Sequence, residues 1–225
     1  MDQKPDTAGL TGKPEPAART RDPERTRRAI LAAAKSEFCQ HGLTGARVER
    51  ITRKSHSNTR MIYHYFGNKE GLYLAVLEAV YGEIRTQEQA LDLSRADPVE
   101  GIRRLVGFTF DFFASRGDFI ALISAENIQR ARCLKRLPSI QAMTTPLVET
   151  IRDLLKRGEA QGLFRTDVDP VQLYVSIVAQ SQLHISNRHT LSVLFDQDLR
   201  DPDWLAARRA HTMDIFLTYL TASDV

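Results

Sequence analysis

Apolar positions along this chain recur every three or four residues almost from end to end, which is the period of a helix face, and nowhere alternate with the period of two that strands require. Ile30, Ala34 and Phe38 open the pattern. The segment before them starts with Asp22-Pro23-Glu24, an N-cap, a proline with no amide to waste and an acid in the first turn, and Gly42 offers a left-handed stop. A helix over about 24 to 41 follows. Val48 and Ile51 then make a short apolar face with Arg47, Glu49, Arg50, Arg53 and Lys54 on the wet side, predicting a helix over 46–54. Ser55-His56-Ser57 breaks it. Asn58 is a good N-cap for a second short helix, 58–65, whose inward positions are Ile62 and Phe66. Leu72, Val76, Val80 and Ile84 extend the period through a long helix over 68–92.

Further on, Asp97-Pro98, Asp169-Pro170 and Asp201-Pro202 repeat the Asp-Pro start. They frame predicted helices at 98–115, 118–132, 139–161, 170–187 and 203–221. Pro146 should kink the fourth of these or mark its true beginning near Thr145, and Gly158 and Gly162 should end it. The expectation is an all-α protein of about nine helices. It divides into a tail (1–22), a helix-turn-helix head (23–67) and a helical ligand-binding and dimerisation body (68–225).

The 46–66 stretch carries the chemistry. Two short helices joined by a tight turn place the second one in the DNA major groove, with its N-terminal residues at base edges. Thr59 and Arg60 are the candidate base readers, and Tyr63, His64, Tyr65 and Lys69 suit phosphates, which set register without specifying sequence. Arg47 and Asn58 complete the DNA-contacting set. The plainer alternative is a surface helix with packed tyrosines. Charge argues against it: residues 24–70 hold ten Lys/Arg and four Asp/Glu, a net +6, whereas residues 71–225 net −3. The first twenty or so residues are polar and Pro-rich, and read as a solvated leader more than as a minor-groove arm built on Lys4, Lys13, Arg19 and Arg21.

At these residues the chain resembles the tetracycline-repressor (TetR) family of bacterial regulators. The likeness rests on Ile30-Leu31-Ala32-Ala33-Ala34 with Phe38 and Gly42, on Ile51, and on Ile62-Tyr63-His64-Tyr65-Phe66 followed by Asn68-Lys69-Glu70 and Leu72. It implies an all-helical homodimer with DNA-binding heads and ligand-binding bodies. Three positions depart from the family pattern. Ala46 replaces a capping Thr, His56 takes the place of Gly in the left-handed turn, and Ser57 replaces an apolar anchor, which predicts a looser turn. The later Gly-Leu-Phe exit at 162–164 and the 186–192 segment also resemble a proteobacterial subgroup that includes regulators of nitrogen-heterocycle catabolism.

In the body, an apolar pocket with a few polar groups is the expected effector site. Phe108, Phe112, Asn127, Tyr174 and His184 are its candidate lining, with Phe119, Ile123, Leu173 and Gln180 nearby in pattern, although core packing explains each one singly. Such a lining suits a small, partly aromatic molecule with a few acceptors or one negative charge. His184 and His189 are five apart, off the spacing of a helical metal site, and the acids at 196, 198, 201 and 203 lack a cation loop's glycine and glutamate, so no metal or cofactor is expected. Cys39 and Cys133 form no framework. Together with the lack of a membrane-length apolar run or a secretory opening, this predicts a cytoplasmic protein with no membrane partner.

No nucleophile–base signature or phosphate-cradling loop points to an enzyme. The reading is a ligand-responsive repressor released from a palindromic double-stranded DNA operator by a small-molecule effector. Two alternatives stay open: an effector-independent architectural or cell-division factor, and a helical carrier or enzyme.

Overall fold

The computed structural model describes residues 22–221. Among them lie ten α-helices and no strand: α1 (Pro23–Gly45), α2 (Val48–Ser55), α3 (Thr59–Phe66), α4 (Lys69–Gln89), α5 (Pro98–Ser115), α6 (Gly117–Ile128), α7 (Pro138–Ala160), α8 (Pro170–Ser186), α9 (Arg188–Phe195) and α10 (Pro202–Thr221). The tail expected over 1–22 falls outside the described residues apart from Asp22.

Each Asp-Pro start works as its chemistry requires. The Asp22, Asp97, Asp169 and Asp201 carboxylates accept backbone N–H groups of Glu24, Val99, Gln172 and Trp204 at 2.7–3.0 Å. Asn58 and Asn68 cap α3 and α4 by accepting from Met61 and Gly71. His56 takes the left-handed conformation at φ 51°, as its place in the turn demands.

The structure corrects several boundaries. Gly42 has φ 62° and ψ −179°, yet helical turns resume and α1 reaches Gly45. Ala46 is the buried C-cap of α1, not the first residue of α2. α6 stops at Ile128, four residues early, because Arg130 and Ala131 both turn left-handed (φ 55°) and the buried Glu126 carboxylate accepts the N–H groups of Cys133 and Leu134 beyond them. α7 continues through Pro146 and begins at Pro138, not near Thr145: in the turn before the proline, the Thr144 and Thr145 hydroxyls donate to the Ile140 and Gln141 carbonyls. Gly158 does not end α7. A Cβ there would lie 2.0 Å from the ring of Phe164, so this glycine lets the returning chain pack against the helix, and Gly162 (φ 67°) makes the turn.

The tenth helix, α9, was not expected. It has no side-chain N-cap and its apolar residues Val193, Leu194 and Phe195 are exposed, so it shows neither a start signal nor a buried stripe.

Two apolar clusters form the core. One joins α1, α2, α3 and α4 through Ile30, Phe38, Ile51, Ile62 and Tyr73 and continues without a break into Phe112, Phe113 and Phe119 of the body. Phe38 and Tyr73 meet edge to face at 4.9 Å. The other fills the body with Ile102, Leu105, Ile151, Leu154, Ile177 and Phe216. At the junction, Asp118 binds Lys35 at 2.5 Å and Arg116 at 3.0 Å, and Arg116 also holds Glu83, so charges from α1, α4 and α6 meet. Burial pushes the nearby Cys39 thiol up to about 11, against the usual 9, which keeps it protonated and inert.

Candidate functional site

The head presents α3 to solvent along one side. Thr59, Arg60, Tyr63 and His64 are exposed, while Ile62 is fully buried beneath them. Tyr65 is half-buried and packs edge to face on His64 (5.1 Å) and Phe66 (6.1 Å), so it anchors α3 as much as it faces outward. Asn58 is exposed but its side-chain oxygen is occupied by the Met61 amide.

Arg47 and Lys69 flank this surface. Arg47 is exposed and forms no ion pair among the described residues, and its backbone N–H donates to Glu37 at 2.9 Å. Lys69 is half-buried, and its ammonium donates to the Ala46 and Thr44 carbonyls at 3.1 and 3.4 Å. That ammonium closes the α1–α2 corner, and a phosphate contact would come in addition.

The α2–α3 turn is held where a looser one was expected. The Ser55 and Ser57 hydroxyls lie 2.6 Å apart, Ser55 donates back to Ile51, and the Ser57 amide donates to Thr52. Polar contacts replace the apolar anchor. Glu37 on α1 does comparable work for α2: its carboxylate, 7% exposed, accepts the Arg47 amide and the Arg50 guanidinium. Burial alone would raise its pKa, but the Arg50 and Arg47 hydrogen bonds and the Arg50 charge outweigh it and hold the group below its ordinary value.

The five candidate effector residues do not share a cavity. Phe112 is sealed in an aromatic cluster with Phe113 and Phe119, with Phe108 partly buried beside it. Asn127 is exposed and donates to the Ile123 carbonyl of its own helix. His184 stacks on Phe110 at 5.0 Å and lies against Trp204. Tyr174 sits elsewhere in the body, and its hydroxyl donates to Glu88 at 2.8 Å and accepts from Arg85 at 3.2 Å.

That last contact exposes a group the sequence pattern conceals. Arg85 and Glu88, on α4, are 8% and 3% exposed, with Arg85 Nη1 2.9 Å from Glu88 Oε2. Desolvation raises the Glu88 pKa despite the Arg85 charge, and burial beside Glu88 pushes the Tyr174 hydroxyl up as well. Arg85 and Glu88 border a cavity of about 130 Å³ between α4 and α7. Charged residues at helical spacing read as a wet face, so only the i,i+3 spacing of opposite charges hinted at this pair.

Two family descriptions match the chain: "Bacterial regulatory proteins, tetR family" over residues 30–76, and "Tetracyclin repressor-like, C-terminal domain" over residues 98–216. A curated relative, the HTH-type transcriptional repressor NicS of Pseudomonas putida, is 37% identical over 191 residues, which span 83% of this chain and 90% of NicS. The chain belongs to the TetR family. Among other family members, the HTH-type transcriptional repressor SCO4008 of Streptomyces coelicolor is 34% identical over 141 residues, covering 61% of this chain and 69% of its own. The crystal structure of SCO4942 from the same organism superposes with a TM-score of 0.65 at 28% identity, covering 87% of this chain and 98% of that one.

As a TetR-family regulator the protein binds DNA, and α2 and α3 lie within the residues that match the family's N-terminal description. Among the described residues no helix is long and apolar enough to cross a membrane.

Proposed function

We propose that this protein is a repressor that acts as a homodimer on a palindromic operator and leaves it when a small molecule binds the body. The observation that carries the reading is α3: an exposed Thr59-Arg60-Tyr63-His64 side on a basic helix-turn-helix, in a chain 37% identical to a protein named as a repressor. Residues 23–67 form the reading head, and residues from 68 onward form the body. Arg47, Thr59 and Arg60 reach the groove, and Tyr63, His64, Tyr65 and Lys69 hold the backbone. The site of action is the cytoplasm, where the operator is.

Dimerisation has its own support. α8 exposes Val171 (48%), Val175 (57%) and Leu183 (56%) along one stripe, and α10 exposes Tyr219 (44%), apolar surface that pairing of the two helices with their twins would bury as a four-helix bundle. A two-fold axis there would hold two recognition helices about 34–36 Å apart, one DNA turn.

Sedimentation and salt-dependent binding to the promoter DNA of neighbouring genes test this together. A dimer at micromolar concentration and affinity that falls steeply with salt are expected. A monomer that stays monomeric on DNA would sink the palindrome, and salt-insensitive or absent DNA binding would sink the repressor.

A further inference from the structure

α8, α9 and α10 surround an open recess of about 530 Å³, within the range that small-molecule sites occupy. Its walls are Leu183, Leu191, Phe195, Leu199 and Trp204, with Leu183 and Phe195 exposed at the edge. Two aromatic rings among five apolar side chains suit a flat, ring-bearing molecule. His184 lies on the same lining, but both its ring nitrogens are shut off from solvent, so it presents no hydrogen-bonding group to a ligand.

Arg208 supplies the polar group. It is half-buried on the lining, and burial alone lowers its pKa, with no neighbouring carboxylate to offset the loss. Its Nη2 donates to Gln180 Oε1 at 2.6 Å and its Nε is shut off from solvent, whereas Nη1 is neither bonded among the described residues nor shut off. Nη1 is therefore the end a ligand can reach. Every other side chain on the lining is neutral, His184 included, since burial holds it uncharged at neutral pH. The recess thus sets one positive charge without a counter-ion against apolar walls, where a charge-assisted hydrogen bond to an anion is worth more than in open water.

We infer that this recess is the effector site and that it takes a small aromatic carboxylate, with the ring against Trp204 and Phe195 and the carboxylate on Arg208 Nη1. This rests on the effector reading above, and moves the site from the scattered candidates to the flank of the proposed dimer face. Leu183 belongs both to the recess and to the exposed stripe of α8, and Trp204 and Arg208 lie on α10. A ligand wedged between α8 and α10 changes how the two helices meet their twins, and that meeting sets the separation of the heads.

Trp204 is the only tryptophan in the chain, so its fluorescence reads this recess directly. The test is titration of the full chain with benzoate, benzamide and acetate, followed by Trp204 emission and by calorimetry, with operator release measured in parallel. Benzoate is expected to change the emission and to bind at least about tenfold tighter than benzamide, which lacks the charge, and than acetate, which lacks the ring. Arg208→Met should weaken benzoate at least about tenfold and leave benzamide within about twofold, with a thermal melt to establish folding. Phe195→Glu changes an exposed side chain, places a carboxylate at the edge of the recess, and should weaken benzoate by at least about threefold more than it weakens benzamide. No benzoate binding at about 10 mM, benzamide binding as tightly, an unmoved Trp204 emission, or benzoate binding undiminished in either variant each overturns the assignment. So does benzoate binding that fades as the protein dimerises, because a second copy then fills the recess. If benzoate binds as expected but the DNA complex is unmoved, the recess stands as an anion site and the effector reading falls. If instead some other metabolite releases DNA equally from both variants, the effector reading stands and the recess falls.

Discussion

The carboxylate of Glu37 takes an amide from Arg47 and a guanidinium from Arg50, so one buried side chain on α1 starts α2. Removing it leaves those donors without their acceptor in a partly buried place. Glu37→Ala should therefore lower stability by about 2–3 kcal/mol in urea unfolding, and Glu37→Gln by clearly less. Equal losses would mean that packing, and not the hydrogen bonds, sets the cost. On the side proposed to face DNA, two cations are assigned different roles. Arg60 is exposed near the α3 N-terminus, and Arg60→Ala should relax preference at one base pair per half-site by about 1–3 kcal/mol. Lys69→Ala should weaken all sequences alike and lower the salt slope by about one unit, with an added stability loss because Lys69 also holds the Ala46 and Thr44 carbonyls. Selection across an operator library distinguishes them, and identical profiles would overturn both assignments.

Among the elements, α7 shows how a residue with one local meaning can serve a distant one. Gly158 looks like a helix stop, but it is helical, and the Phe164 ring occupies the space of its missing Cβ. Gly158→Ala would gain helix propensity of about 1 kcal/mol if nothing faced it. Facing Phe164, it should instead destabilise by about 1–3 kcal/mol through overpacking. In a Phe164→Leu background the same substitution should cost less, since the nearest ring atoms are gone. Thermal unfolding of the four proteins measures that coupling, and strict additivity would contradict the contact. α3 was legible for the opposite reason. Its cap, its buried Ile62 and its exposed polar side lie within eight residues, so local rules suffice, whereas α9 has no local signal to read.

At the scale of the whole molecule, His184 reports on how α5, α8 and α10 close around it. It stacks on Phe110, lies against Trp204, and has no well-formed hydrogen bond on either ring nitrogen. Burial, with the Arg208 charge beside it and only weak opposition from the Gln180 carbonyl, holds its pKa down from 6.5 to about 4. Above pH 6.5 both folded and unfolded chains carry neutral His184. As the pH falls from about 6.5 to 4 the unfolded chain takes up a proton that the folded chain refuses, so stability drops across that window, by on the order of 3 kcal/mol. Urea unfolding at pH 7 and pH 4.5 should show a smaller drop for His184→Phe than for the parent chain. An unchanged drop would falsify the buried neutral state.

What the sequence determined by itself is the part of this protein that near neighbours in the chain decide. The helical period, the four Asp-Pro starts and the cap-turn-cap layout of α2 and α3 follow from residues within a turn or two of one another, and so did the family likeness that those motifs carry, from which the left-handed His56 was expected. Tertiary structure alone decided the rest. Phe112 is core and Asn127 is surface, though both fitted the same apolar-with-polar pattern. Arg85 and Glu88 look like a solvated i,i+3 pair until α7 and α8 cover them and Tyr174 reaches in from 86 residues away. A cavity is a property of the space between elements, and helical periodicity says which side of each helix is apolar without saying where two such sides fail to meet.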